Sequence, residues 1–297
     1  MTKSQSVSAI RGEGVRRPRR RRHISRYVGQ FATHLLLGVL AVTWLMPFFW
    51  MVSSSLKVQS QMFHIPPIWI PNPVNWGNYA GAVTQIRFFL FLRNTIIIAV
   101  LSCVGSMLSC PVVAYSFSRM EWPGRDVLFM ITLATMMIPF QVTMIPLFII
   151  FSKLNWVNTW LPLLIPTFFG NAFYIFLLRQ FFLTIPAELA DAARIDGANE
   201  GMIFARIVLP LTRPALAAIV LFETLSRWTD FLGPLIYLSR EDLYTISIGL
   251  QQFVAKYTTA WARWMAASTL VTLPVVVLFI FTQRFFIEGI TLTGIKG

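Results

Sequence analysis

Charge is what this chain has least of. Asp, Glu, Lys and Arg make up 12% of its 297 residues, about half the share of an ordinary soluble domain. Acids are scarcer than bases, twelve against twenty-five. The three histidines, His23, His34 and His64, all precede residue 65 and lack metal-ligand spacing, so neither a metal centre nor a Ser-His-Asp or Cys-His set suggests itself. No GxxxxGK[ST] phosphate loop is present, which leaves no site in this chain for ATP to drive work directly. The only cysteines, Cys103 and Cys110, stand seven apart in one apolar segment. On a helix their Cα atoms are about 10 Å apart, beyond the roughly 7 Å a disulfide tolerates, so they read as small buried hydrophobes. No catalytic site has a basis in the sequence.

Apolar residues fill the space: 56% of the chain is hydrophobic. A bilayer core is about 30 Å thick, and a helix rising about 1.5 Å per residue crosses it with roughly 20 apolar residues. Six stretches qualify, 32–54, 94–117, 127–150, 157–178, 212–237 and 264–285. The first is too long for a signal-peptide core and lacks a small-residue cleavage site, so it is expected to be retained. This is the pattern of an all-α polytopic membrane protein with six transmembrane helices.

The bases report orientation. Residues 1–30 hold nine of them, including the run RRPRRRR, against Glu13 alone. They are expected to form a basic, disordered cytoplasmic arm ahead of a six-span domain over 31–297. No folded nucleic-acid recognition element accompanies the run; beside an apolar span it holds the N-terminus inside and touches anionic lipid. Six crossings then return the C-terminus to the cytoplasm. On that topology seventeen bases fall inside and six outside, as the positive-inside rule requires. The outer loops 57–88 and 239–263 are long enough to contact a partner, with a passive lid as the plainer alternative.

Within the spans, prolines at Pro139, Pro146, Pro162 and Pro166 free backbone carbonyls that need partners inside protein or a wet cavity. The fifth span carries Glu223, Arg227 and Asp230. Ionisable groups at membrane depth mark function by default, yet Glu223 and Arg227 are four apart and can neutralise each other on one face. Two readings stand: a structural ion pair, or a polar lining for a hydroxyl-rich solute in which Trp228 offers a stacking face and Asp230 accepts hydrogen bonds. Gln141 and Asn171 are further uncharged candidates for that path. An ion-gradient-driven secondary transporter using Glu223 and Asp230 is the alternative function, although no internal repeat supports it.

Between the fourth and fifth spans the sequence changes character: ELADAARIDGANEGMIFARIVLP, residues 188–210. Pro186 suits a first helical position, Glu188 meets the positive end of the dipole, and Leu189, Ala192 and Ala193 share a face. Asp196-Gly197 is expected to turn the chain, after which NEGMIFAR forms a second short helix. Lipid-bound helices favour a basic polar face, whereas here acids predominate. The small alanines and acids instead suit docking by another protein.

Asp191-Ala192-Ala193, then Gly197, Ile207 and Leu209-Pro210, resemble the EAA...G.........I.LP signature of permease subunits of bacterial ABC importers. Asp191 replaces glutamate there, and Glu188, one turn earlier, can share its role. The segments AYSFSRMEWPGRDVLF, WTDFLGPLIYL and RFFIEGITLTGIKG are similar to the carbohydrate-uptake branch, in particular its maltose-type second permease subunit. The resemblance implies a type I ABC importer permease fold in the inner membrane, with residues 184–210 as a cytoplasmic coupling loop carrying the coupling helix. Glu188, Asp191, Ala192, Ala193, Gly197, Ile207, Leu209 and Pro210 would then be the ATPase-coupling residues. It further implies a second homologous permease, two ATP-binding subunits that carry ATP and Mg, and an extracytoplasmic sugar-binding protein met by the outer loops. This chain itself would bind no cofactor or metal, and no nucleic acid.

Overall fold

The computed structural model describes the backbone of residues 19–256 and 260–293, with side chains from 29 to 255 and from 260 to 283. Two compact units divide the chain, Met1–Trp50 and Met51–Gly297. The helices are α1 Arg19–Ser55, α2 Gly77–Gln85, α3 Phe88–Arg119, α4 Arg125–Thr135, α5 Phe140–Lys153, α6 Leu161–Leu164 and α7 Ala172–Thr184. They continue with α8 Ala187–Ile195, α9 Glu200–Ile203, α10 Leu209–Leu211, α11 Arg213–Thr229, α12 Leu232–Tyr237, α13 Ile246–Lys256 and α14 Trp261–Thr293. Among the described residues there is no strand. Residues 1–18 of the expected basic arm lie outside the described residues. From Arg19 the chain is helical, so Arg19 to Gln30, expected to belong to the disordered arm, instead continue the apolar helix toward the N-terminus.

Four segments are long and apolar enough to cross a membrane alone: Gly29–Ser55, Phe88–Arg119, Leu161–Thr184 and Trp261–Gln283. Two bent pairs complete six, Arg125–Thr135 with Phe140–Lys153 at 98° and Glu200–Leu211 with Arg213–Thr229 at 75°. Prolines explain both bends. Pro139 holds an extended conformation before α5 and biases Ile138 away from the helical region. Pro214 has no N–H to give the Pro210 carbonyl, and its ring crowds that oxygen. The chain turns at buried Thr212, whose hydroxyl donates to the Val208 and Leu209 carbonyls. The expected third span is therefore two helices, and the bend into the fifth comes two residues after Pro210.

The expected fifth span also ends early. Pro234 cannot continue a helix through the Asp230 carbonyl, so α11 stops at Thr229 and α12 begins at Leu232. Its 17 residues reach about 25 Å at a rise of about 1.5 Å each. In the fourth span, Pro162 and Pro166 give α6, a 3₁₀ turn over Ile165–Phe169 and Gly170 before α7; the crossing runs to Thr184 rather than 178.

Lipid is as apolar as leucine, so close packing rather than solvent exclusion holds spans together. α3 is the axis. It packs most extensively on α7 and α11 and enters three buried clusters. Phe88 and Phe91 join α2, α13 and α14, Ile98 joins α5, α6 and α12, and Cys110, Ala114, Tyr115 and Phe117 join α4, α7, α8 and α11. At Gly105 a Cβ would lie 2.3 Å from the Thr167 hydroxyl, so only glycine lets the fourth span approach. Both cysteines are free. Cys110 is fully buried, as its reading as a small hydrophobe requires, and its sulfur accepts the Asn171 N–H at 3.3 Å.

Candidate functional site: the inter-span loop and the fifth-span cavity

α8 forms as its composition dictates, one residue later than expected: Pro186 is the N-cap and Ala187 the first helical residue. Its expected apolar face needs correction. Ala190 is buried and Ala193 half-buried against the core, whereas Leu189 and Ala192 are exposed beside Glu188 and Asp191, and Ile195 at the far end is 88% exposed. The outward face thus combines apolar side chains with acids.

Gly197 ends the helix. Its φ is +84° with nothing within 4 Å of a Cβ position. Its N–H donates to the Arg194 carbonyl at 3.0 Å and that of Ala198 to the Ala193 carbonyl at 2.9 Å, the paired bonds of a Schellman cap. A side chain here is disfavoured by left-handed backbone rather than by lack of room. Asn199 caps the next helix through the Met202 N–H. That helix runs further than NEGMIFAR. It widens to a π-turn over Phe204–Val208, where the missing donor of Pro210 removes an ordinary i→i−4 bond, and reaches Leu211. Ile207 and Leu209 are half-buried and Pro210 is exposed.

The loop's acids divide. The Arg194 guanidinium spans Asp191 at 2.7 Å and Glu200 at 2.9 Å, while Glu188 and Asp196 have no ion pair among the described residues. The other Glu200 oxygen accepts the Tyr115 hydroxyl of α3 at 2.6 Å. Exposed ion pairs contribute about 0.2–1 kcal/mol each, so the buried tyrosine is the firmer anchor. At the other end of α8, Arg119 of α3 donates to the carbonyls of Phe182 and Ile185, and Arg179 of α7 returns a bond to the Phe117 carbonyl at 3.2 Å. Tyr115 and Glu200 were not legible as a pair, being 85 residues apart.

In the fifth span, Glu223 is 1% exposed and accepts from Arg227 Nε at 2.8 Å. Arg227 also faces Asp230 at 3.9 Å. Asp230 accepts the Gly233 N–H at 3.0 Å, which caps α12. Arg227, Asp230, Ser226 and Tyr237 face a cavity of about 420 Å³ walled by Phe151 and Leu163. The Tyr237 hydroxyl there is buried without a hydrogen-bond partner among the described residues. The cavity offers a cation, a carboxylate and a free hydroxyl.

Three candidates for the path are placed differently. Trp228 is 7% exposed, donates to the Val271 carbonyl at 3.1 Å and packs with α14 in the core, on a wall of a different cavity from Asp230. Helical spacing puts it one residue round from Arg227, so the expected stacking face is committed to packing. Asn171 is an N-cap whose carbonyl oxygen accepts the N–H groups of Phe173 and Tyr174. Gln141 is exposed on the first turn of α5, next to Phe140, which lines the cavity.

The outer loops are built structure. Asn78 donates to the carbonyls of Ser55 and Lys57 at 2.9 and 2.8 Å. The Asn94 amide of α3 donates to those of Asp242 and Tyr244 at 2.8 and 3.0 Å. Thr95 accepts the Ile246 N–H at the start of α13.

Residues 103–290 match the family model described as binding-protein-dependent transport system inner membrane component. The chain is 34% identical over 250 residues to the arabinooligosaccharides transport system permease protein AraQ of Halalkalibacterium halodurans, covering 83% of this chain and 89% of that protein. A bacterial ABC transporter involved in import of the acidic polysaccharide alginate superposes with a TM-score of 0.75 at 27% identity, over 88% of this chain and 98% of that one. A bacterial alginate transporter in complex with its alginate pentasaccharide-bound periplasmic protein shares the fold at a TM-score of 0.64 and 14% identity, over 87% and 95%. Six apolar crossings, a capped helix between the fourth and fifth, and a family match over most of the chain converge: the protein belongs to the binding-protein-dependent transport system inner membrane components, the permeases of ABC importers.

Proposed function

We propose that this chain forms half of the translocation path of an ATP-driven importer for a sugar or oligosaccharide and couples ATPase closure to alternating access. A second, similar permease supplies the other half. Two ATP-binding subunits, carrying ATP and Mg, grip α8 from the cytoplasm, where both termini also lie. A sugar-binding protein meets the outer loops. The observation that carries this reading is the outward face of α8, where Leu189, Ala192 and Ile195 stand exposed beside Glu188 and Asp191 on a helix pinned at both ends. Exposed apolar side chains rimmed by charge suit a protein partner. The sugar assignment is supported by the named substrates of the relatives and by the polar groups at the fifth-span cavity.

Arg227 neutralises Glu223 across 2.8 Å, which makes that carboxylate a poor carrier for a gradient-driven cycle. The test is purification in mild detergent with the co-expressed complex, reconstitution into liposomes, and uptake of a panel of labelled neutral and acidic oligosaccharides. Uptake that needs both ATP and the binding protein is expected. Uptake by this chain alone, driven by a proton or sodium gradient, would overturn the proposal.

A further inference from the structure

The two loops assigned above to the ATPase and to the binding protein are held by one helix. At one end of α3, Tyr115 bonds Glu200 at 2.6 Å, and Glu200 holds Arg194 of α8 at 2.9 Å. Arg119 holds the carbonyls on the other side of α8. At the opposite end, the Asn94 amide, fully buried, donates both its hydrogens to the backbone of the second outer loop, and Thr95 receives the first N–H of α13. Asn94 and Tyr115 lie on one continuous helix that keeps buried Pro111 inside it, at the loss of the bond to the Met107 carbonyl; 21 residues at about 1.5 Å each separate the two ties by about 32 Å. Asn94 and Thr95 are fully buried and Tyr115 nearly so, whereas Arg194, which carries the tie on to α8, is exposed.

We propose that Tyr115, Glu200 and Asn94 are positioning residues that make α3 a rigid rod between α8 and the outer helix α13, so that displacement of one loop displaces the other. A rod of this kind needs both ties. The Glu200 carboxylate turns the two-point contact of Arg194 into a contact with the membrane core, because its second oxygen is the one that Tyr115 reaches. Asn94 matters for its donor pair: the carbonyls of Asp242, within the 3₁₀ turn Glu241–Leu243, and of Tyr244, its C-cap, are satisfied by one side chain, fixing the loop's height on α3. The inference rests on the coupling role of α8 but asks a separate question, which span carries the motion.

The experiment places spin labels at Ile195 and Gln251, both exposed, in the complete complex with Cys103 and Cys110 replaced by serine. The distance between labels is measured without nucleotide and after trapping with ATP and vanadate. If α8, α3 and α13 move as one body, the wild-type distance stays the same within about one helical rise, 1.5 Å, while mobility at Ile195 falls as the ATPase grips it. In Tyr115→Phe, which removes one oxygen and keeps the ring, hydrolysis persists within about twofold, the distance shifts or broadens on trapping, and Glu200→Gln behaves in the same direction. Asn94→Ala does the same from the outer end. A wild-type distance that changes on trapping would overturn the rod, as would a Tyr115→Phe complex as invariant as wild type. A label at Ile195 that never senses the ATPase would instead refute the coupling role itself.

Discussion

The loop between the fourth and fifth spans and the charged turn of the fifth span use the same chemistry under opposite conditions. In the loop, Arg194 bridges Asp191 and Glu200 with every partner substantially exposed. In the span, Arg227 bridges Glu223 and Asp230 with Glu223 almost wholly buried. Water shares the charges of the first triad, so each ion pair contributes little by itself, and the buried Tyr115 hydroxyl on Glu200 supplies its fixed point. In the second, Glu223 is cut off from solvent and its charge depends on Arg227, while Arg227 and Asp230 border the cavity.

That contrast sets the size of the effects. The largest is expected at the buried pair: Arg227→Ala strands the Glu223 carboxylate and should destabilise the complex by about 3–5 kcal/mol, read as a lower unfolding temperature or failed assembly in detergent. Replacing both partners together with apolar residues of similar volume should recover much of the loss, and failure to recover would show that the pair serves the path rather than the fold. Next comes Gly197→Asp. A left-handed non-glycine costs about 1–2 kcal/mol, too little to prevent insertion. Uptake should nonetheless fall by about 5- to 150-fold, the range of a typical coupling free energy, with ATP hydrolysis retained; normal uptake would remove Gly197 from the coupling device.

Asp230→Asn is smaller. The amide oxygen can still accept the Gly233 N–H, so stability should change by less than about 1 kcal/mol, while a solute that hydrogen-bonds to the carboxylate should show a raised half-saturation concentration in uptake assays. The smallest effect belongs to Asp191→Asn. Losing one exposed ion pair costs about 0.2–1 kcal/mol, so thermal unfolding should barely move, and a shift as large as that of Arg227→Ala would contradict the difference drawn between the two triads.

The sequence was informative where a local rule governs. Helix formation at 187–195 followed from alanine content and an acid in the first turn, and the stop at Gly197 from a position that favours φ above zero. Prolines stand beside the breaks, although Pro146 remains inside the continuous α5 and Pro234 divides a stretch, 212–237, that reads as one span. It was less informative about facing. Leu189, Ala192 and Ala193 share a helical quadrant, yet Ala190 is the residue buried in the core, because the choice depends on where α3 and α7 stand. Trp228 illustrates the same limit: an indole in a polar stretch resembles a stacking platform until the Val271 carbonyl from α14 takes its N–H. Asn171 depends on its surroundings in the same way: an asparagine before a helix satisfies the first backbone donors, here those of Phe173 and Tyr174.

Taken by itself, the amino-acid order determined the apolar crossings, the prolines beside their breaks and the acidic, alanine-rich helix of the loop, because transfer into lipid, backbone donors and helix caps act over a few neighbouring residues. Tertiary structure alone decided which polar groups far apart in the chain meet. Tyr115 finds Glu200 across 85 positions and Asn94 finds Tyr244 across 150, distances over which no periodicity persists, and only the packing of α3 among its neighbours brings those atoms within hydrogen-bond reach.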